Sequence, residues 1–233
     1  MPCELSVIMP VYNEEGVVGT VITKWVETLS LLNISYELHV YNDGSTDKSL
    51  ATIQNSAKKF KYVFPHDQKN RGHGPTILTG YRENSLAKWI FQIDSDDEIG
   101  PESFLKLWAV KDKFDFLCGK REGREQTLSR KLLSSISRLT ISVLYGRGVS
   151  DVNVPYRLYR TCAFRDLFFK IPQNTFAPNI LLTGMASRRS LRIFQTPVPF
   201  QSRKTGEVSL KSFALVKPAA LSFLQTLWFR CTI

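Results

Sequence analysis

The first hundred residues repeat one pattern, in which a short apolar run ends in a polar turn and an amphipathic stretch follows. The clearest apolar runs are Leu5–Val11, Tyr36–Tyr41 and Trp89–Ile93. Runs of this length closed by turn residues are typical of buried strands, and the stretches between them have helical spacing. Strands that alternate with helices predict an α/β fold with a mostly parallel sheet flanked by helices.

The remaining elements are predicted from the same spacing. The regular alternation fades after Asp97, and Pro172, Pro178, Pro197 and Pro199 punctuate the second half of the chain. The other predicted elements are helices over Glu14–Leu32, Asp47–Phe60, Gly74–Ser85 and Pro101–Val110, strands over Lys61–Pro65 and Phe114–Cys118, and a long amphipathic stretch over Leu128–Leu144.

Polar clusters follow three of the predicted strands. They are Tyr12–Glu14, Asn42–Gly44 and Asp94–Asp97. Ligands of parallel sheets bind beyond the carboxyl ends of the strands, so we expect these clusters to meet at one edge. Neither a GxGxxG nor a GxxxxGK[ST] phosphate-binding loop is present, which weakens the dinucleotide and P-loop hypotheses.

Asp94-Ser95-Asp96 directly follows an apolar strand. Two carboxylates at this spacing suit a hard divalent cation with oxygen ligands, so the motif predicts a Mg²⁺ or Mn²⁺ diphosphate site. Alone, such a motif is more often an acidic, solvated turn. Its place after a β-α-β-α-β pattern favours the metal site.

The chain of 233 residues is basic, with 31 Lys and Arg against 21 Asp and Glu and a formal charge of +10. This excess favours polyanionic partners or a basic solvated surface. No basic run is interleaved with aromatics, so we expect no nucleic acid partner. The four cysteines lie singly in the sequence, which predicts reduced thiols.

Four ordered segments resemble family 2 glycosyltransferases of the GT-A fold. The similarity is strongest to the branch that contains dolichol-phosphate mannose synthase and bacterial polyprenyl-phosphate hexosyltransferases, and it covers nearly the whole chain. The segments are Met9–Glu14, Asn42–Asp47, Asn70–Gly74 and Asp94–Glu98.

The resemblance implies a binding site for a nucleotide-sugar donor. Asp94 and Asp96 would be catalytic, and Asp96 and Glu98 would bind the metal, although Glu98 replaces what is often an amide in this branch. A loop around Arg203 would close over the donor diphosphate, with Arg203 in a catalytic role. The residues implied to bind the nucleotide sugar are Pro10, Tyr12, Glu14, Asp43, Asp94 and Ser95.

The same resemblance implies an acceptor-phosphate pocket at Arg121, Arg130 and Ser134, since arginine suits bidentate recognition of phosphate. For each arginine a solvated surface position is an equal alternative. Asp151 and Tyr156-Arg157 resemble a downstream element of the branch, with Pro155 in place of its usual glycine.

A phosphate acceptor is already an anion, whereas a hydroxyl acceptor needs a general base. Residues 175–179 carry no carboxylate where hydroxyl-accepting relatives usually have an acidic pair, which favours a polyprenyl phosphate. Transfer to a glycan hydroxyl, with Asp97, Glu98 or Asp151 as base, stays open. So does a module that binds the nucleotide sugar without turnover.

We predict one catalytic domain over residues 1–209 and a C-terminal amphipathic segment over 210–233. The segment mixes apolar and basic residues, so we expect it at a membrane interface, at a homo-oligomer contact or packed on the core. No apolar run reaches the length of about 18 residues that spans a bilayer. With no leader-like start, we expect a cytoplasmic protein, peripheral on the membrane face.

Overall fold

A computed structural model describes residues 3–122, 145, 150–201 and 223–230. Within these residues seven strands form one sheet, in the order β3-β2-β1-β4-β6-β5-β7. The strands are β1 (Leu5–Val11), β2 (Tyr36–Asp43), β3 (Val63–Gln68), β4 (Trp89–Ile93), β5 (Phe116–Glu122), β6 (Tyr156–Arg160) and β7 (Ile193–Pro199).

Helices lie between these strands along the chain. Short 3-10 turns flank the fourth helix, at Pro101–Ser103 and Lys111–Lys113. The helices are α1 (Val18–Ser30), α2 (Ser49–Lys59), α3 (His73–Glu83), α4 (Phe104–Val110), α5 (Thr161–Lys170), α6 (Pro178–Arg188) and α7 (residues 223–230).

The core forms where the central strands are covered by helices. Every residue of β1 and β4 is buried, as expected of parallel strands that are packed on both faces. Trp25 of α1 contacts Phe91 of β4, Phe104 of α4 and Tyr156 of β6, with ring centroids 5.4 to 6.0 Å apart. This aromatic cluster joins the first half of the chain to the second.

The predicted α/β fold is confirmed, and β1 and β4 have the predicted bounds. Helix α1 begins at Val18 rather than at Glu14, because the residues before it form a turn at the sheet edge. Helix α2 begins at Ser49, whose backbone N–H donates to Asp47 Oδ1 at 2.9 Å. Asp47 therefore lies at the positive end of this helix, as predicted.

Strand β6 is antiparallel to both of its neighbours, β4 and β5. Its first residue, Tyr156, pairs with Ile93, the last residue of β4. The segment before β6 therefore reaches the same edge as the carboxyl ends of β1, β2 and β4. Strand β5 ends at this edge too, because it runs antiparallel to β6.

Parts of the sequence predictions fall outside the described residues. These are Arg130, Ser134, Arg203, the predicted Leu128–Leu144 stretch and all of segment 210–233 except α7. Among the described residues, no helix is long and apolar enough to cross a membrane. The three cysteines of the described part, Cys3, Cys118 and Cys162, are free thiols.

Candidate functional site

The three predicted polar clusters lie at the carboxyl edge of the sheet, and the first two are bound together by hydrogen bonds. Asn13 N–H donates to Ser45 Oγ at 3.0 Å, and Thr46 N–H donates to Asn13 Oδ1 at 2.8 Å. Glu14 N–H donates to Ser49 Oγ at 2.8 Å. Asn13 has a φ of 54°, which is uncommon for a residue other than glycine. The loops after β1 and β2 thus form one unit.

Asp43 organises the next loop of the site, residues 70–72. Its Oδ1 accepts Arg71 N–H and Gln68 Nε2, and its Oδ2 accepts Gly72 N–H, all at 2.9 Å. Only 3% of Asp43 is exposed. The left-handed Gly44 lets this loop approach, because a Cβ there would lie 2.5 Å from Asn70 N. The resemblance implies that Asp43 binds the nucleotide base, and the structure shows that it also holds this loop.

Asp94 stands at the end of β4, next to the start of α3. Its Oδ1 accepts a hydrogen bond from Gln92 Nε2 at 3.0 Å, and His73 Nε2 lies 3.7 Å from the same oxygen. Gln92 is fully buried, whereas about a quarter of the Asp94 side chain is exposed. The carboxylate is therefore held from beneath and remains open to solvent.

The rest of the acidic cluster is fixed by its own contacts. Glu98 N–H donates to Asp96 Oδ1 at 3.2 Å, and Glu98 O accepts Gln201 N–H at 2.8 Å. Asp97 forms an ion pair with Lys24 of α1 at 2.6 Å and has a φ of 58°. The residues just after β7 thus reach the acidic cluster, two positions before the predicted phosphate-contacting Arg203.

The other residues implied to bind the nucleotide also lie at this edge. Pro10 is in the buried end of β1, beyond Ile8, where the pairing with β4 stops. Tyr12 is 42% exposed, while Glu14 and Ser95 are nearly buried. Tyr12 therefore offers the most accessible surface of the four.

Arg121, predicted to bind acceptor phosphate, forms a bidentate ion pair with Asp151. Arg121 Nε and Nη2 each lie 2.8 Å from a carboxylate oxygen of Asp151. Burial opposes ionisation of Asp151, but Arg121, together with Arg157, outweighs it and holds the pKa of this carboxyl below its ordinary value. The structure thus joins Arg121 to one of the residues considered as a base.

Several residues that matter at this edge were not singled out from the sequence. Gln92 had a signal, since it is a lone polar residue in an apolar strand. Lys24 and Asn179 had none, because their partners are distant in the sequence. Arg157 was noted only as part of a motif, and it is completely buried.

The fit of a divalent cation depends on the oxygen ligands of the acidic cluster. Over the described ranges, no group of three or more His, Cys, Asp or Glu side chains could hold a metal by itself. Mg²⁺ in enzymes is commonly bound through one or two carboxylates together with substrate phosphates. Asp94, Asp96 and Glu98 offer carboxylates of that kind, so the donor set fits a cation that is bound together with a diphosphate.

The amino-acid sequence is similar to known transferases. Undecaprenyl-phosphate 4-deoxy-4-formamido-L-arabinose transferase of Enterobacter sp. (strain 638) is 26% identical over 216 residues, or 91% of this chain and 64% of that protein. The protein of the same name from Photorhabdus laumondii is 28% identical over 185 residues, or 75% and 57%. The chain thus spans less than two thirds of the length of these curated relatives.

Solved structures share the fold, and a family model matches the sequence. A complex of Mycobacterium tuberculosis glucosyl-3-phosphoglycerate synthase with Mn²⁺, UDP and glucosyl-3-phosphoglycerate has a TM-score of 0.66 and 19% identity, over 99% of this chain and 81% of that one. The structure of S. aureus TarS 1-349 has a TM-score of 0.56 and 18% identity, over 97% of this chain and 72% of that one. The model for glycosyl transferase family 2 matches residues 6–170. This family model matches most of the chain, and the chain has a GT-A sheet with an aspartate pair directly after β4. The chain therefore belongs to glycosyl transferase family 2.

Proposed function

We propose that this protein transfers a hexose from a nucleoside diphosphate sugar to a polyprenyl phosphate, with inversion at the anomeric carbon. The observation that carries the proposal is the position of Asp94 and Asp96. They lie just after the last residue of β4, at the edge where the loops after β1 and β2 and the start of α3 also lie. The relatives named as undecaprenyl-phosphate sugar transferases support the acceptor class.

We assign the donor to the part of the sheet edge that lies between the loop after β1, the loop after β2 and the acidic cluster. Pro10, Tyr12, Glu14 and Asp43 would bind the base and ribose, and Ser95 would contact the nucleotide sugar. A donor of the GDP-mannose or UDP-glucose type fits this assignment. The UDP in the Mycobacterium tuberculosis complex supports a uridine donor in a sheet of the same fold.

Asp94, Asp96 and Glu98 would hold a Mg²⁺ or Mn²⁺ ion together with the donor diphosphate. Such an ion neutralises negative charge that develops on the departing diphosphate. The protein contributes the orientation of these carboxylates, since Glu98 N–H holds Asp96 and Gln92 holds Asp94. Arg203, outside the described residues, is proposed to add positive charge at the leaving group.

A phosphate acceptor is favoured because two of the three carboxylates considered as general bases are engaged in ion pairs, and the third, Glu98, is assigned to the metal. Asp97 is paired with Lys24 and Asp151 with Arg121. Arg121 stabilises the charged form of the Asp151 carboxylate and lowers its pKa, which makes Asp151 a weaker base. Asn179, at the end of the segment without a carboxylate, is 3% exposed and bonded to internal partners. An anionic acceptor oxygen attacks without losing a proton, so it needs none of these groups.

The surface beside the site is consistent with a lipid acceptor. Helix α7 is anchored by Gln225, whose side chain bonds Phe176 N–H and Asn174 O. Phe176, Leu224 and Trp228 are 40%, 61% and 56% exposed. We propose that these side chains contact the membrane that carries the acceptor, which makes the protein peripheral.

The experiment follows release of nucleoside diphosphate from a panel of UDP- and GDP-hexoses, with Mn²⁺ or Mg²⁺ and a short polyprenyl phosphate. We expect release that requires the lipid phosphate and that Asp96→Ala abolishes. Asp112→Ala, at an exposed acidic residue beyond α4, is the matched control and should retain activity. If release occurs only with a glycan acceptor, the polyprenyl phosphate is the wrong acceptor. Donor binding without any release would indicate a non-catalytic module.

A further inference from the structure

A line of hydrogen bonds runs beneath the candidate site from Arg157 to Asp94. Arg157 Nη1 lies 3.4 Å from Tyr159 OH, which lies 3.4 Å from Asn179 Oδ1. Asn179 Nδ2 is 2.9 Å from Gln92 Oε1, and Gln92 Nε2 is 3.0 Å from Asp94 Oδ1. These five residues, called here the Arg157–Asp94 chain, connect β6, α6 and β4.

The two ends of the Arg157–Asp94 chain fix its direction. A guanidinium can only donate hydrogen bonds, and an ionised carboxylate can only accept them. Gln92 must therefore turn its N–H toward Asp94, which leaves its oxygen for the Asn179 amide. Asn179 then turns its own oxygen toward the tyrosine hydroxyls, where Tyr81 OH also donates at 3.0 Å. Each hydrogen bond of the Arg157–Asp94 chain is thus donated in the direction of the Asp94 carboxylate.

Burial makes this arrangement rigid. Gln92, Tyr159 and Arg157 are fully buried, and Asn179 is 3% exposed. Turning either amide around would leave a donor or an acceptor unsatisfied away from water, which is costly. Hydrogen bonds in a low-dielectric interior are also stronger and polarise one another. The Asp94 carboxylate is thus held by groups that have no alternative partner arrangement.

We propose that Gln92 and Asn179 are positioning residues that fix the orientation of the Asp94 carboxylate toward the donor diphosphate. The proposal rests on the proposed function, in which Asp94 serves that diphosphate. Neither amide touches the donor, because both lie beneath the exposed carboxylate. We place their effect on binding at Asp94 Oδ1, which accepts the Gln92 amide.

Two nearly isosteric variants, Gln92→Met and Asn179→Leu, remove the amide donors. Each should weaken binding of UDP or GDP in the presence of Mn²⁺ by about tenfold or more, as loss of an outer partner of a site carboxylate commonly does. Calorimetric titration of the full chain measures this affinity without knowledge of the acceptor. Gln92→Glu keeps the size of the side chain but sets a second acceptor against Asp94, so it should bind at least as weakly as Gln92→Met.

Asn84→Leu is the matched control. Asn84 is a buried asparagine whose amide donates to Tyr41 OH and Gly80 O. It follows α3 at the opposite edge of the sheet. The control should lower the melting temperature by an amount similar to Asn179→Leu and leave nucleotide affinity unchanged. Equal loss of affinity in Asn84→Leu would show a general effect of destabilisation and overturn the proposal.

The double variant Gln92→Met/Asn179→Leu tests whether the two amides act together. Because both amides act through one carboxylate oxygen, the double variant should lose no more affinity than the single variant that binds more weakly. Wild-type affinity in both single variants overturns the positioning role and leaves the proposed function standing. If the wild-type protein binds neither nucleotide with Mn²⁺, the proposed function fails, and the positioning role fails with it.

Discussion

Asp43 illustrates how a single carboxylate can organise the candidate site in which it is also proposed to bind the nucleotide. Three hydrogen bonds from Gln68, Arg71 and Gly72 tie this buried side chain to the loop before α3. The sequence motif shows that an aspartate stands here, but it does not show these donors. We therefore expect substitutions at Asp43 to change the conformation of the loop before they change any direct contact with a nucleotide.

Asp43→Asn should destabilise the protein by about 2–3 kcal/mol. The amide N–H of the variant would face a backbone N–H that donates to the carboxylate in the wild type. Urea denaturation measures the loss. Asp67→Asn is the control, since Asp67 is exposed and accepts one hydrogen bond, from Asn42. The control should cost less than about 1 kcal/mol. Equal costs for the two variants would contradict the role assigned to Asp43.

A second residue-scale prediction concerns His39 and His66, whose ring nitrogens Nδ1 and Nε2 lie 3.0 Å apart. Burial lowers the pKa of both histidines below 6.5, although the carboxylates of Glu37 and Glu83 favour protonation. A folded-state pKa below the unfolded value means that stability is complete above about pH 6.5 and is lost as the pH falls toward the folded pKa. The melting temperature should therefore fall between about pH 7 and pH 5.

His66→Gln removes one of the two titrating rings and should flatten this dependence. Thermal melting at matched ionic strength compares the two proteins. A wild-type profile as flat as that of the variant would show that the histidine pair does not control stability in this range.

At the scale of elements, the first half of the fold was predictable because it is built from local signals. Strands β1 and β4 are apolar runs that stop at turn residues, and their predicted bounds are confirmed. The polar clusters at their carboxyl ends were predictable for the same reason, since the ends of parallel strands share an edge. Pairs such as Lys24 with Asp97 and Gln92 with Asn179 depend on tertiary packing, so the sequence did not indicate them.

The second half was predicted poorly because its strands lack that pattern. Strand β7 contains Pro197 and Pro199. These prolines are tolerated because β7 lies at the edge of the described sheet. Strand β6 is short and runs against its neighbours, which an alternating strand and helix pattern does not predict. The charged pair Arg121 and Asp151 was assigned separate roles from motifs, and it forms one ion pair in the structure.

An element-scale prediction concerns the contact of α3 with the turn before α6. A Cβ on Gly74 would lie 2.3 Å from the backbone oxygens of Thr175 and Phe176. Gly74→Ala should therefore force these segments apart and destabilise the protein by about 1–3 kcal/mol. Gly16→Ala is the control, since a Cβ there meets nothing within 4 Å. Urea midpoints that shift equally would contradict the tight contact.

At the scale of the whole molecule, the charge of +10 and the exposed side chains of Phe176, Leu224 and Trp228 would favour the membrane partner proposed above. Anionic lipid attracts the basic surface, and apolar side chains add burial at the interface. Leu224→Gln/Trp228→Gln should reduce sedimentation with phosphatidylglycerol vesicles by about tenfold, since each substitution removes apolar area that the membrane would bury.

Leu31→Gln is the control for this prediction. Leu31 is 73% exposed at the end of α1, away from the carboxyl edge of the sheet. The Leu31→Gln variant should leave vesicle binding unchanged. Vesicle binding by the wild type and by Leu31→Gln should fall as the salt concentration rises. If the double variant sediments as well as the wild type, α7 is not part of the membrane contact.

The antiparallel direction of β6 has a consequence for how proteins of this architecture diversify. Because β5 runs antiparallel to β6, the end of β5 and the start of β6 lie at the edge of the sheet where β4 ends, directly before Asp94. A connection whose two ends are fixed at one edge can be lengthened with little entropic penalty to folding. The connection between β5 and β6 can therefore vary in length while the first four strands, which carry the proposed donor site, stay constant.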